Sequence, residues 1–328
     1  MRCYLVERDA AGIVSGRVAT VPTADLPAGE VTIAVHFSSA NYKDALATQG
    51  HPGVARRLPH VPGIDAAGIV VESAVSGLKP GAEVLVTGYE LGAGQWGGWA
   101  EYIRVPAEWV VPLPAGLTLR EAMILGTAGF TAAQCVQAFQ RQGIEPHSGP
   151  VVVTGATGGV GSLAVMLLAK LGYRVTAVTG KPDRQEWLRS LGAAEVIGRE
   201  TVQDESDRPL LSSRWAGAVD TVGGVTLSTL IRSMQHRGCV AACGLVGGHE
   251  LHLTVYPFLL RGCRLEGIDS AHCPGPQRRE IWRRLSQEWR LEGLERVASE
   301  VPLTDVGRVV ADLLAGRSVG RPVVRIAS

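Results

Sequence analysis

Val31, Ile33, Val35 and Phe37 recur at every second position of residues 30–37. A period of two places one face in a core and the other in water, so a half-buried strand is predicted there. Residues 63–72 and 83–86 read the same way. Pro62-Gly63, Lys79-Pro80-Gly81 and the run from Pro112 to Gly116 are turn signals between them. Dense strands without long helices predict a barrel-like, β-rich unit over the first part of the chain. Near Thr118 the texture changes. Thr118-Leu119-Arg120-Glu121 has the form of a capping box and predicts a helix. Residues 126–133 lead into a second helix that ends near Gly143. From Val151 onward strands and helices alternate. Residues 218–224 and 238–244 read as buried parallel strands. Residues 251–255 alternate, which fits a strand exposed on one side or at an edge, and 264–270 read as another strand. A basic helix over 277–290 and an apolar stretch over 321–326 close the chain. The fold class is α/β: a β-rich domain followed by a doubly wound parallel sheet.

The most specific stretch begins at Val151. Three valines lead into Thr154-Gly155-Ala156-Thr157-Gly158-Gly159-Val160-Gly161, and residues 162–171 read as a helix stopped by Gly172. Strand, glycine turn and helix form the context of a dinucleotide fingerprint. One glycine turns the chain tightly, another lets the backbone approach a pyrophosphate, and a third lets helix and strand pack closely. The free N–H groups of the helix then face the phosphates. The spacing is G-x-x-G-x-x-G, and a ligand-free tight turn is the competing reading. Residues 174–179 form the next strand, where an NAD site usually carries a carboxylate for the ribose. Here the end is Thr179-Gly180-Lys181. A hydroxyl, a small residue and a cation suit a 2′-phosphate, which favours NADPH over a solvated turn lysine. Arg184 and Arg199 add charge, and Asp183, after Pro182, is expected to cap the following helix.

Composition narrows the partners. At 328 residues with 46% hydrophobic residues, two domains with real cores are expected. A net charge of +1 gives no broad field for nucleic acid or an anionic membrane. The six cysteines match no zinc knuckle or disulfide framework, and packing explains most of them. With no signal peptide and no apolar run long enough to cross a bilayer, the expected location is the cytoplasm, where NADPH is found.

Several separated stretches point one way. Ser39-Ala40-Asn41-Tyr42-Lys43-Asp44, the run from Pro62 to Gly68, Trp96-Gly97-Gly98-Trp99-Ala100-Glu101, the run from Gly126 to Ala132 and the glycine turn occur in that order. Together they resemble the zinc-free medium-chain dehydrogenase/reductase superfamily. Asn41 to Leu46, Thr179-Gly180-Lys181, Asp220-Thr221-Val222-Gly223, Tyr256 to Arg261 and Gly267-Ile268-Asp269-Ser270 resemble its acrylyl-CoA reductase branch, often labelled quinone oxidoreductase. The likeness spans nearly the whole chain. It implies a GroES-like catalytic domain over 1–122, a Rossmann NADP-binding domain over 123–262, and a segment over 263–328 returning to the first, with the active cleft where the domains meet. It also implies a homodimer joined through an edge strand of the Rossmann sheet, with residues 251–255 the candidate. The zinc-dependent branch has a Gly-His-Glu start where this chain has Gly63-Ile64-Asp65, and isoleucine cannot ligate a metal. No metal is expected.

A chain without that Lewis acid is better matched to an alkene activated by a conjugated carbonyl. Tyr42 is the candidate donor to the developing enolate oxygen; packing on the cofactor is the other reading. Asn41 orients the loop or substrate, or makes a local turn. Asp44 is read as a cap and not a base. By resemblance Thr157, Gly158, Gly159 and Val160 lie along the pyrophosphate. Thr179, Gly180, Lys181 and Arg199 meet the 2′-phosphate. Leu245, Leu259 and Ser270 approach the nicotinamide, although ordinary core is a strong alternative for the two leucines. Arg56-Arg57 with His51 and His60, and the group Arg278, Arg279, Arg283 and Arg284, are cation clusters that acyl-CoA phosphates could use. Solvated surface charge is the reading adopted for both. The implied activity is NADPH-dependent reduction of a small 2-enoyl-CoA, acrylyl-CoA above all. A quinone or enone reductase and a non-catalytic NADPH-binding sensor or crystallin-like protein are the alternatives.

Overall fold

The computed structural model describes residues 1–327 and divides into two compact units. The first comprises, of the described residues, 1–127, 270–288 and 293–327; the second comprises Ala128–Asp269 and Trp289–Glu292.

The first unit is built on a sheet whose strands run in the order Ala298–Pro302, Arg321–Arg325, Val31–Ser39, Asp65–Ser73, Glu83–Thr87 and Val111–Pro112. Tyr102–Val105 pairs with Val31–Ser39 beside this path. The closing strand returns to pair antiparallel with Val31–Ser39, Val323 opposite Ser39. The predicted half-burial of residues 30–37 holds only in part. Thr32 is buried together with Val31 and Ile33, because the Arg104 side chain of the neighbouring strand reaches over it and donates to its hydroxyl at 3.2 Å. Cys3, Val35, Val84, Val86, Trp99 and Ile103 lie in the core of this unit.

The second unit holds six parallel strands in the order Glu195–Ile197, Val175–Val178, Val151–Val153, Trp215–Asp220, Met234–Ala242 and Arg264–Gly267. Renumbered along the chain this is 3-2-1-4-5-6, the doubly wound dinucleotide-binding order. The order reverses between Val151–Val153 and Trp215–Asp220, and the glycine turn leaves the first of these. Because Arg264–Gly267 pairs with Met234–Ala242, the sheet carries the chain past 262. The units part at Thr127/Ala128 and Asp269/Ser270, and not at 122/123 and 262/263.

Three further expectations need correction. Residues 251–255 form no strand; Val255 is the N-cap of the helix Tyr256–Arg261, and the Thr254 hydroxyl accepts the Tyr256 N–H. The sheet edges are Glu195–Ile197 and Arg264–Gly267 instead. The helix after the glycine turn begins at Gly159, three residues before the expected start. Finally, Leu119–Arg141 is long and apolar enough to cross a membrane by length and composition, but its most apolar stretch is 89% buried, as in a core helix. The capping box at its start is present: the Glu121 N–H donates to Thr118 Oγ1 at 3.1 Å, and Glu121 Oε2 accepts the Thr118 N–H at 2.9 Å. It kinks at Gly126, where φ is +49°.

Candidate active site

In the second unit the glycine turn is fixed from beneath by a buried carboxylate. Asp220, fully buried at the end of its strand, accepts the Thr154 hydroxyl at 2.7 Å and the Gly223 N–H at 2.8 Å. Burial pushes its carboxyl up, while these donors hold the ionised form. Thr221 Oγ1 donates back to the Thr154 carbonyl at 2.9 Å. Gly155 has φ +55°, and a side chain there would collide with the Thr221 hydroxyl. A side chain at Gly161 would strike the Gly155 carbonyl, so the helix Gly159–Lys170 packs tightly on the turn. Gly158 is its N-cap and brings no side chain to the end. Thr157 is buried; Gly159 and Val160 are half-buried in the first turn. This is the cradle that a pyrophosphate needs.

The strand Val175–Val178 ends at Thr179, whose hydroxyl accepts the Lys181 N–H at 3.0 Å. The Arg199 guanidinium lies directly against Gly180, in the space that any side chain there would fill. Partial burial, then the charges of Arg184 and Arg199, hold the Lys181 ammonium below its ordinary value, against the opposing pull of Asp183. A phosphate placed among these cations would relieve that repulsion. Asp183 pairs with Arg184 at 3.0 Å, and no side chain caps the helix Gln185–Ser190, so the capping expected of Asp183 does not occur.

Leu245 and Leu259 are 61% and 74% exposed, which removes the ordinary-core reading of both. Ser270 belongs to the first unit, three residues beyond the strand that ends at Gly267. Its carbonyl accepts Arg278 Nη2 at 3.0 Å. Arg278 is not surface charge: it is 1% exposed, donates also to the Thr87 and Ala271 carbonyls, and lies 4.2 Å over the Tyr89 ring.

In the first unit the helix Tyr42–Thr48 follows the central strand. Asn41 is its N-cap in a reciprocal capping box with Asp44. Asp44 Oδ1 accepts the N–H groups of Gly63 and Ile64 at 2.9 and 2.8 Å, and Oδ2 accepts that of Asn41 at 2.8 Å. Burial and then the neighbouring Asp65 push the Asp44 carboxyl up to about 7, against these donors.

Asn41 is tied into a network that sequence reasoning missed. Its Nδ2 donates to Asp65 Oδ2 at 2.9 Å, and its Oδ1 accepts Arg321 Nη1 at 2.9 Å. Asp65 accepts the Thr127 N–H and hydroxyl at 2.9 and 2.6 Å, and the Ser39 hydroxyl. Arg321 donates to the Ile124 carbonyl at 2.9 Å and to Ser39 Oγ at 2.8 Å, and stands 3.6 Å from Asp65. Burial lowers the Arg321 pKa, and Asp65 and Asp44 oppose that shift. Next to this rigid cap Tyr42 is 39% exposed, with its hydroxyl in no hydrogen bond among the described residues. The signal available in the sequence was a charge at the head of each of two apolar strands, Asp65 and Arg321.

Among the described residues no three His, Cys, Asp or Glu side chains stand together to hold a metal ion, and Ile64 offers no donor. This donor set does not fit a catalytic zinc.

Comparison with known proteins completes the picture. Residues 27–115 match the model of the alcohol dehydrogenase GroES-like domain, and residues 159–287 that of zinc-binding dehydrogenase. The chain is 45% identical to acrylyl-CoA reductase AcuI of Ruegeria pomeroyi over 98% of each sequence. It matches the yhdH oxidoreductase of Salmonella enterica, solved in complex with NADP, with a TM-score of 0.97, 46% identity and 100% of both chains covered. It matches Bacillus subtilis yhfP, solved with NAD bound, with a TM-score of 0.96, 45% identity and 99% of each chain covered.

Proposed function

Because the chain belongs to the medium-chain dehydrogenase/reductase superfamily, in its acrylyl-CoA reductase branch, we propose that it reduces the C=C bond of a small 2-enoyl-CoA with NADPH, acrylyl-CoA first. The observation that carries this reading is the full-length likeness to acrylyl-CoA reductase. The cations around Gly180 support NADPH in particular, since no carboxylate ends that strand.

When bound, NADPH supplies the hydride that adds to the β-carbon of the enoyl thioester. The chain itself holds the cofactor: the turn from Gly155 to Gly161 takes the pyrophosphate, and Thr179, Lys181 and Arg199 take the 2′-phosphate. As negative charge develops on the thioester oxygen, the Tyr42 hydroxyl donates a hydrogen bond to it, and a proton then reaches the α-carbon to give the saturated thioester. Asn41 is a positioning residue, since every polar atom of its side chain is engaged by Asp44, Asp65, Ser39 or Arg321. The working form is a homodimer in which a second copy meets the edge strand Arg264–Gly267, beside exposed Tyr256, Leu260 and Leu265. Light scattering that gives one chain's mass would remove the dimer.

The reaction is tested by following NADPH oxidation with acrylyl-CoA, crotonyl-CoA and a quinone side by side. The highest kcat/KM is expected with acrylyl-CoA. Turnover of the quinone alone would make the protein a quinone reductase, and tight NADPH binding without turnover would make it a sensor.

A further inference from the structure

Of the two cation clusters in the sequence, the structure engages all of one but the exposed Arg279. Arg278 is buried against backbone carbonyls, and Arg283 and Arg284 are paired with Glu280 and Glu288. The other cluster keeps its charge. Arg56 and Arg57 are adjacent and exposed, and neither forms an ion pair among the described residues. Half-buried Lys43 lies on the helix before this loop, where the one acid, Asp44, is buried beneath. In a chain of net charge +1 this is a local excess of positive charge.

The loop that carries the pair is a built one. His51 N–H bonds the Leu46 carbonyl at 3.2 Å, and the His51 carbonyl accepts the N–H groups of Val54 and Ala55, both at 2.9 Å. Val54 and Ala55 are buried against Ala47 of the helix Tyr42–Thr48, with Leu46 and Ala93 packed alongside. His60, 3% exposed, pins the far end through its ring nitrogen, 3.0 Å from the Gly92 carbonyl. The two arginines are therefore held at the C-terminal end of the helix whose first residue is Tyr42, about 10 Å along its axis at 1.5 Å per residue.

We propose that Arg56 and Arg57 bind the phosphates of the coenzyme A moiety, and so select a CoA thioester over a small enone. The proposal rests on the enoyl-CoA reading above. A CoA thioester carries its charge at the end of a long neutral arm, remote from the reacting carbons. Cations for it belong on the element that carries Tyr42 but away from Tyr42 itself. Guanidinium groups bind phosphate oxygens bidentately, which adjacent arginines on an anchored loop can do together.

The test compares acrylyl-CoA with the acrylyl thioester of N-acetylcysteamine, which keeps the reacting group and lacks the phosphates. In the R56Q/R57Q variant KM for acrylyl-CoA should rise about ten- to hundredfold with kcat held. KM for the truncated thioester should not move, and that retained activity reports an intact fold. Raising salt should weaken acrylyl-CoA binding in the parent protein more steeply than in the variant. Equal changes for both thioesters, or none for either, would overturn the proposal. A parent protein that reduces both thioesters with equal KM removes the phosphate site and leaves enoyl-thioester reduction standing. A parent protein that reduces neither removes both.

Discussion

Arg321→Leu tests how the Asn41-Tyr42 segment is held. The guanidinium is 2% exposed and faces a carboxylate, Asp65, that is fully buried. Its donors reach Ile124 O, Asn41 Oδ1 and Ser39 Oγ, all within 2.9 Å. Leucine keeps volume and removes every one of these bonds. Asp65 is left with the Thr127, Ser39 and Asn41 donors and no positive charge. Removing one partner of a buried pair costs about 3–5 kcal/mol, because the other charge stays buried. At about 2–4 °C per kcal/mol for a unit of this size, the melting temperature should fall by about 6–20 °C. The pair of variants separates charge from packing. Adding Asp65→Asn to Arg321→Leu removes the stranded charge and should recover part of the loss, a coupling that distant sites do not show. Thermal unfolding followed by calorimetry reads both. A melting temperature within about 2 °C of the parent for Arg321→Leu, with no recovery in the double variant, would refute the argument that this charge network holds the helix start.

Three further outcomes are expected. Tyr42→Phe should lower kcat with acrylyl-CoA by about a hundredfold or more, as loss of one oxyanion donor does, with NADPH affinity little changed; full turnover would leave Tyr42 as packing only. Lys181→Ala and Arg199→Ala should each weaken NADPH binding about tenfold or more and leave NADH binding unmoved, read by titration of protein fluorescence; equal losses for both nucleotides would take the 2′-phosphate away from these residues. Because the folded pKa of Asp44 is raised from 3.8 to about 7, the native state holds a proton that the unfolded chain has released, so stability should fall as pH rises from about 4 to about 7 and level off above. Asp44→Asn should be less stable near pH 4, having lost an acceptor for Asn41, and should lose less stability as pH rises through that window; an unchanged slope would place the titration elsewhere.

The glycine turn was legible because its constraints act on single residues: a positive φ at Gly155 and a close helix approach at Gly161 admit nothing larger. The position of Thr179, Gly180 and Lys181 was legible because they follow their strand directly. Arg199 is distant in sequence, and only the packing of its guanidinium on Gly180 explains its place. The Asp65–Arg321 network was not legible, since a charge in an apolar strand says nothing of a partner 256 positions later in the chain. Arg278 was misread for a related reason. It shares a helix with Arg279, Arg283 and Arg284, and the helix's orientation alone decides which arginine turns inward. Residues 251–255 carried the period of a strand, but a period specifies a face and not a pairing partner.

The central claim is that hydride passes from NADPH to the β-carbon of an enoyl thioester. Turnover of acrylyl-CoA with NADPH deuterated at the transferred position of C4 tests it, with the product acyl chain analysed by NMR. One deuterium on C3 of propanoyl-CoA is the result the account predicts; deuterium at C2, or an acyl chain free of label, would contradict it.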